Sequence, residues 1–419
     1  MEISEIAKII SKNGGKLYLV GGCLRDKILN RANHDEDYCV TGIKGEEFLK
    51  LFPNAHVRGK SFEVYDIDGK EFAMARKEKK IAAGHKGFEI QTGKITIEDD
   101  LLRRDITINS LAQNVITGEV IDVCCGMDDL KNGIIRATSE AFKEDPLRVY
   151  RVARLAALLD FQVEPNTIQK MKMLKSELTK LTKERIFIEL KKALCTQKPS
   201  KFFNVLKEAE VLDVHFNEIY QLIGAQQPAD KHPEGDAYEH TMLALENSVK
   251  LTNNPEIRFS VLVHDLGKGV TPKEMYPHHY GHDEKGVSIV EDFCYKIGTP
   301  KSWMKCGKDA SKWHMKGGIF ETMTPKKQLE FIENVNSSLL GLEGMKIVVE
   351  CDKNRPGMYK KTDFDKIGKE CLDKVNGKFI YKKYNITEGE LFGEKLHQER
   401  IQWLRENNLK GEKNERDER

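Results

Sequence analysis

The feature that most constrains this chain is a change of texture at Asp145. Before it, short apolar runs alternate with glycine turns. After it, apolar residues recur at helical spacing almost to the end. Asp145-Pro146 marks the change, a helix cap followed by the residue favoured at a first helical position. A chain divided in this way folds as α+β, with a mixed sheet and its helices confined to about residues 1–140 and helices alone thereafter.

Within the first part, Ile3, Ile6, Ile9 and Ile10 give a helix over residues 3–11, stopped by Gly14-Gly15. Lys16–Val20 reads as a buried strand running into Gly21-Gly22 and a helix over 25–29. A second strand follows at 37–40. Residues 62–67 and 70–75 form a hairpin around Asp68-Gly69. The charged, glycine-bearing stretch 76–95 reads as a mobile loop. In the second part, helices are expected over 147–159, within 166–194 and over 201–210, then a linker at 226–230 and a histidine-rich helical unit over 232–352. The mixed-charge end, 410–419, reads as frayed. The expected domains are 1–140, 141–225, 226–385 and a helical tail 386–419.

Composition narrows the classes of function. No apolar run approaches the ~18 residues of a membrane span, and the N-terminal residues lack a signal-peptide layout. Nine cysteines include no CxxC pair, which argues against a disulfide framework or a Cys₄ zinc site. The expectation is a cytoplasmic protein, monomer or homodimer, with no membrane partner. The 68 Lys+Arg against 66 Asp+Glu leave a formal charge of only +2, so a nucleic-acid partner needs a local argument. One exists between Lys170 and Lys201, where ten Lys/Arg face three Glu. Such helices can lay a basic face on an RNA backbone, although helical lysine also serves simply to solvate. Arg76-Lys77-Glu78-Lys79-Lys80 is a second basic patch.

The chemistry begins at Gly21-Gly22. A Gly-Gly turn lets backbone approach a phosphate, the helix after it offers free N–H groups, and Arg25 in its first turn can add a charge-assisted contact. Asp35 and Asp37 follow at i and i+2, which share one face of a strand. Two carboxylates on one face can hold Mg²⁺ against a nucleotide's phosphates. A bare DxD is also the sequence of a solvated acidic turn.

The whole segment LVGGCLRDKILNRANHDEDYCVTG resembles the signature of the class II tRNA nucleotidyltransferase and bacterial poly(A) polymerase family, a polymerase-β-like branch of nucleotidyltransferases. Asn30 stands where the family usually has Gly, and Leu24 where it often has Val. EDDLLRRDITINSLA, residues 98–112, resembles the family's second motif. The resemblance implies a polymerase-β-like head with Asp35 and Asp37 as catalytic Mg²⁺ ligands and Gly22 and Arg25 at the nucleotide. It also implies Arg104 at the phosphates, with Asp105 and Asn109 supporting the ribose and the fold.

EDPLRVYRVAR places Asp145, Arg148, Arg151 and Arg154 at steps of three along a helix. An Asp accepts from the exocyclic amine of cytosine or adenine, and a neighbouring Arg donates to a ring acceptor. Such a pair selects C and A without a template. The same residues also suit a capped helix with a solvated arginine face. The segment resembles the family's EDxxR motif, which implies base selection by Asp145 and Arg148, and nucleotide binding by Arg151 and Arg154.

Seven of the twelve histidines fall between His232 and His314. His264-Asp265, followed by Leu-Gly-Lys-Gly, needs a second His and a second Asp from elsewhere to close a metal site; His240 and Asp352 are placed for this. The segment HDLGKGVTPKEMYPHHYGHDEKGV resembles the HD phosphohydrolase region of the long bacterial CCA-adding enzymes. The resemblance implies phosphatase, 2′-nucleotidase and 2′,3′-cyclic phosphodiesterase activities with Mg²⁺ or a transition metal such as Ni²⁺. His282 and His314 line the phosphate pocket or add ligands. Together the motifs imply addition of CCA to the acceptor end of tRNA from CTP and ATP. A poly(A) polymerase, an enzyme adding only CC or only A, and a protein that is mainly an HD phosphohydrolase with an RNA-binding N-terminal domain are the alternatives.

Overall fold

The structure is a computed structural model that describes residues 1–32, 36–58, 63–80, 88–92, 95–354 and 361–417, without the side chains of 77–80, 88–92 and 408–417. The chain forms two compact units, residues 1–185 with 201–211, and residues 186–200 with 212–419. The stretch expected as a separate neck, 141–225, is shared between them.

The first unit is built on a sheet of β1 (Lys16–Val20), β2 (Asp37–Thr41), β3 (His56–Arg58), β4 (Val64–Ile67) and β5 (Lys70–Met74), together with β8 (Leu111–Asn114) and β9 (Val120–Asp122). Strands β6 (Arg76–Lys80) and β7 (Phe88–Thr92) pair separately. The order is β3-β4-β5-β2-β1-β8-β9, antiparallel except for the parallel pair β2/β5. Both faces of this sheet are covered. Leu17, Tyr38, Val40 and Phe72 pack with Ile6, Ile10 and Phe48 on one side; Tyr18, Val20 and Cys39 pack with Ile97 and Leu101 on the other. That is why β1 reads as a continuous apolar run rather than an alternation. Complete burial of a ring such as Phe48 contributes about 1.5–3 kcal/mol.

The two-residue turn between β4 and β5 pairs Ile67 with Lys70. Asp68 and Gly69 both take positive φ, at 52° and 81°, as the type I′ turn requires. The stretch 76–95 differs from the loop its sequence suggests. Its backbone forms a ladder from Arg76↔Thr92 to Lys80↔Phe88. A strand without apolar alternation leaves no period-two signal to read.

The second unit is helical. Ala237–Leu251, Pro255–Val263, His282–Ile297, Lys301–Gly318, Pro325–Ser337 and Gly341–Lys353 surround a core that includes Trp313, Phe331, Met345 and Phe364. Arg258, 1% exposed, donates to the carbonyls of Leu194, Thr196 and Thr252 at 2.7, 2.8 and 2.9 Å. It thereby satisfies the carbonyls at the end of the helix Lys183–Leu194. The last helix runs from Glu390 to Asp417, so the expected fraying from residue 410 is not what the backbone shows. Alternating Glu and Lys suit a helix well. No described helix is long and apolar enough to cross a membrane.

Candidate functional site

Strand register builds the first site. Leu19 lies opposite Tyr38, and Val20 opposite Ala112. The end of β1, the start of β2 and the start of β8 therefore meet at one edge of the sheet. Gly21 follows β1 with φ of 76°, a conformation that favours glycine. A Cβ there would lie 3.2 Å from Arg104 Nη1 and 4.0 Å from Asp37 Oδ2, so the turn also passes close to both charged groups. The next helix, Gly22–Ile28, starts three residues earlier than its sequence suggests and presents its N-terminus at the same edge.

These segments wall a cavity of about 390 Å³. Gly22, Asp37, Arg104, Asp105 and Asn109 line it from the sheet; Asp145, Arg148 and Arg151 line it from the segment that leads into the helix Arg148–Leu159. Asp35 lies outside the described residues. Arg185 completes the wall and is absent from the sequence-derived set.

Each charged group is held by another. Asp100, 1% exposed, pairs with Arg103 at 2.6 Å and Arg104 at 2.9 Å. Burial alone would raise the Asp100 carboxyl, but the two guanidinium groups hold it below its usual range. Asp105 accepts from Arg151 at 2.7 and 2.8 Å, from Asn109 at 3.3 Å and from its neighbour's N–H at 3.0 Å. Against its burial, Arg151 and Arg148 hold the Asp105 carboxyl well below the carboxylate range. Arg148, 9% exposed, donates to the carbonyls of Ala141 and Arg103 at 2.6 and 2.7 Å, which fixes its guanidinium beside the cavity. Asp145 Oδ1 accepts from the Leu147 N–H at 3.0 Å, and Oδ2 from Arg185 at 2.8 Å.

Two residues expected at the nucleotide, Arg25 and Arg154, do not line this cavity. Arg25 is buried and is not among the lining residues. Its guanidinium turns sideways to donate to Asn109 Oδ1 at 2.7 Å and Asp26 at 2.8 Å, so it reaches the cavity through Asn109. Arg154 is half-buried and likewise not a lining residue. Steps of three on a helix of 3.6 residues per turn rotate about 60° each, so Arg154 has left the face that Arg148 and Arg151 share.

The second site lies in the helical unit. His240 and Asp352 come from two helices and His264 and Asp265 from the turn after a third, Pro255–Val263, and the four offer ligand atoms within 4.8 Å of one another. His240 Nε2 is 3.0 Å from Asp352 Oδ1 and 3.5 Å from Asp265 Oδ2. His264 Nε2 is 3.2 Å from Asp265 Oδ2 and 3.8 Å from Asp352 Oδ1. Burial would lower His264, yet Asp265 and Asp352 outweigh it and raise it to about 10. In turn, Asp265 and Asp352 are held well below their usual range, the former by His264 and Lys268 and the latter by His240 and His264, in each case against burial.

Close glycine contacts draw these helices together. A Cβ on Gly267 would lie 2.0 Å from the His282 carbonyl, and one on Gly286 would lie 2.2 Å from Ser311 Oγ. The turn after His264-Asp265 thus packs directly on the start of helix His282–Ile297, which packs in turn on helix Lys301–Gly318. His282 and His314 consequently reach Asp265 Oδ1, at 3.2 and 3.4 Å. His279 is instead fixed by Thr271 and the Gln226 carbonyl, and His278 is exposed against Tyr280.

Four further residues, Glu234, Lys268, Lys231 and Lys353, escaped sequence reasoning. Glu234 accepts from His232 and His240 at 2.9 and 2.7 Å, which orients the His240 ring. Lys268, buried, places Nζ 2.6 Å from Asp265 Oδ2 and donates to Gln227. A cavity of about 540 Å³ opens over Asp352 and His282, with Lys231, Lys268 and Lys353 in its wall. That lining suits a phosphate.

The donor set fits a metal. Among the described residues no hydrogen bond satisfies His264 Nε2 or Asp265 Oδ1, both buried, while Asp265 Oδ2 faces the Lys268 ammonium at 2.6 Å. Clustered imidazole and carboxylate donors left in that state match a divalent transition metal.

The fold and the two sites define a nucleotidyltransferase head joined to an HD-type helical unit. Models of three families match: the Poly A polymerase head domain over residues 17–136, the probable RNA and SrmB-binding site of polymerase A over 160–222, and the HD domain over 237–323. The chain is 43% identical over 296 residues to a multifunctional CCA protein of Shewanella frigidimarina, covering 69% of this chain and 71% of that one. It belongs to that family. In fold it resembles the Thermotoga maritima CCA-adding enzyme complexed with tRNA (18% identity, TM-score 0.63, 96% of this chain and 90% of that one). It also resembles the Bacillus stearothermophilus CCA-adding enzyme in complex with CTP (20% identity, TM-score 0.60, 98% of each chain).

Proposed function

We propose that this protein adds and repairs the 3′-terminal CCA of tRNA, using CTP and ATP without a template, and that its HD unit hydrolyses phosphomonoesters and 2′,3′-cyclic phosphates. One observation carries the first part: a single cavity is lined by Gly22, Asp37, Arg104, Asp145, Arg148 and Arg151. The work is divided among a head over 1–140, a base-selecting and RNA-binding neck over 141–225, an HD domain over 226–385 and a helical tail. The protein acts in the cytoplasm as a monomer or homodimer.

Gly22, the helix N-terminus it opens, Arg104 and Arg151 hold the triphosphate. Arg25 positions Asn109, and Asn109 and Asp105 keep Arg151 in place. Asp145 accepts from the exocyclic amine of C or A, and Arg148 donates beside it; U and G present the opposite order of donors and acceptors. The tRNA 3′-hydroxyl attacks the α-phosphate and pyrophosphate leaves. Mg²⁺ held by Asp37 with Asp35 supplies positive charge at the α-phosphate and the departing oxygens. The tRNA is recognised by shape and backbone, with lysines of the 170–201 stretch at the phosphates.

In the HD unit, His240, His264, Asp265 and Asp352 hold the metal, and Glu234 fixes the His240 ring. A divalent metal there, Mg²⁺ or a transition metal such as Ni²⁺, supplies Lewis acidity toward a phosphoryl oxygen. Lys231, Lys268 and Lys353 draw the phosphate into the cavity.

The test is extension of a tRNA lacking its 3′ end, with CTP alone, ATP alone and both. The expected products are CC, no C-less A addition, and CCA. Poly(A) from ATP alone, or addition that stops at CC with both present, sinks the reading. His264→Ala is expected to abolish phosphohydrolysis and spare nucleotide addition.

A further inference from the structure

The cavity of the HD unit is larger than a phosphate needs. At about 540 Å³ it has room for a whole small molecule. Its lysines take up one part of the lining, and apolar side chains take up another. Met315, Gly318 and Ile319 line it from the end of helix Lys301–Gly318 and the residue that follows. Their i, i+3 and i+4 spacing sets them on one face. Met315 is 44% exposed and Ile319 54%. Tyr280, 70% exposed, lines the cavity from just before helix His282–Ile297. Its ring stacks on His278, with centroids 5.5 Å apart and planes at 23°. Three large apolar groups left exposed around one cavity suit a ligand that covers them.

A polar group marks the other end. Lys268 Nζ lies 2.7 Å from the Gln227 side-chain amide. An ammonium only donates, so the amide atom facing it is Oε1 and the NH₂ group is turned elsewhere. Gln227 is 8% exposed and lines the cavity, yet among the described residues its buried Nε2 has no hydrogen-bond partner. A buried donor in that state is satisfied by an acceptor on a ligand. Lys268 also meets Asp265 Oδ2 at 2.6 Å, so this donor stands at the metal end, where the acceptor is a phosphate or sugar oxygen. A Cβ on Gly318 would lie 2.8 Å from Lys353 Cε and 3.0 Å from its Nζ. That lysine therefore crosses the apolar face at the notch the glycine leaves.

A phosphate alone uses the lysines and the amide and leaves the apolar face bare. A flat ring joined to the phosphate through a hydroxylated sugar covers both. From this arrangement we infer that Tyr280, Met315 and Ile319 form a base-binding wall, which makes the HD unit prefer phosphoesters of nucleosides to those of small polyols. Every base offers a π-face to such a wall. Hydrolysis then breaks the bond between phosphorus and the sugar oxygen; the water oxygen goes to phosphorus and a proton to the sugar oxygen. The inference rests on the reading of the HD unit as a phosphohydrolase.

Full-length protein supplied with Mg²⁺, Mn²⁺ or Ni²⁺ is assayed on adenosine 2′-phosphate and glycerol 2-phosphate, two secondary-alcohol monoesters of which only the first carries a base. The wild type is expected to favour the nucleoside ester by about a hundredfold in kcat/KM. Tyr280→Ala, and separately Met315→Gln/Ile319→Thr, are each expected to cut that ratio by about tenfold, chiefly through KM. These exposed positions lie on two different elements, so the two variants check each other. A trinucleotide ending in a 2′-phosphate, run beside the mononucleotide, separates an RNA end from a free nucleotide as the source; turnover of either well above the glycerol ester supports the wall. Equal kcat/KM for the two monoesters in the wild type, or an unchanged ratio in both variants, overturns the wall and leaves the phosphohydrolase reading standing. Hydrolysis of neither ester with any of the three metals overturns both.

Discussion

Arg185 donates to Asp145 Oδ2 across 2.8 Å, while the other oxygen of Asp145 accepts the Leu147 N–H. Both oxygens of the carboxylate proposed to select the base are thereby oriented within the cavity. Arg185→Ala removes one charge-assisted hydrogen bond, worth about 1.5 kcal/mol. The ratio of kcat/KM for CTP and ATP over UTP and GTP is expected to fall about tenfold, since ~1.4 kcal/mol is a factor of ten. Arg185→Lys should recover part of it. An unchanged ratio measured across all four nucleotides would remove Arg185 from base selection.

Asp145→Ala removes the acceptor itself. Its loss should relax base choice more than it slows transfer, because the residues proposed to hold the triphosphate, Arg104 and Arg151, are other members of the cavity wall. A good base contact discriminates by about 1–3 kcal/mol. Single-nucleotide extension assays should show U and G incorporation rising relative to C and A. Complete loss of transfer with selectivity intact would contradict the base-pairing role.

Asp105 links the head to the helix after it through Arg151. Its carboxyl is held low in the folded protein, so the folded state binds fewer protons there than the unfolded chain does. The stabilisation is full above the unfolded carboxyl range, near pH ~4, and is lost as pH falls below it. Asp105→Asn should cost on the order of 2 kcal/mol near neutral pH, toward the small end for a buried pair because Arg151 is partly solvated. It should also flatten the acid limb of the stability curve. Urea unfolding from pH 3 to 7 measures both; parallel curves for variant and wild type would mean the pair does not contribute.

Much of this architecture was legible in the sequence where a residue type has one structural use. The β1 strand, the Asp68-Gly69 turn and the shift to helix near Asp145 were of this kind. So were most cavity residues, because Gly-Gly, a placed carboxylate and an Arg-Asp pair sit in short motifs. Contacts between distant segments left no such mark. Arg185 lies in an ordinary basic helix, and only the fold brings it to Asp145, 40 residues away. Glu234 sits in an irregular segment with no period to betray it. Arg25 was legible as a charged group beside the Gly-Gly turn but not in its direction, since a helix beginning at Gly22 turns it toward Asn109. The β6–β7 ladder is a backbone feature, and charged side chains conceal it.

Gly267 tests how far the HD site depends on backbone proximity. A methyl group there would sit 2.0 Å from the His282 carbonyl, backbone against backbone, with no flexible side chain to yield. Helix His282–Ile297 must retreat, carrying His282 away from Asp265. Overpacking of this sort costs about 1–3 kcal/mol, and a displacement near 1 Å in a reacting site costs about a hundredfold in rate. Gly267→Ala is therefore expected to cut phosphohydrolysis by about that factor, while nucleotide addition, which uses none of these residues, continues. Assaying both activities on the same preparation decides the matter: full hydrolysis in the variant would show that the close approach at Gly267 does not set the position of His282.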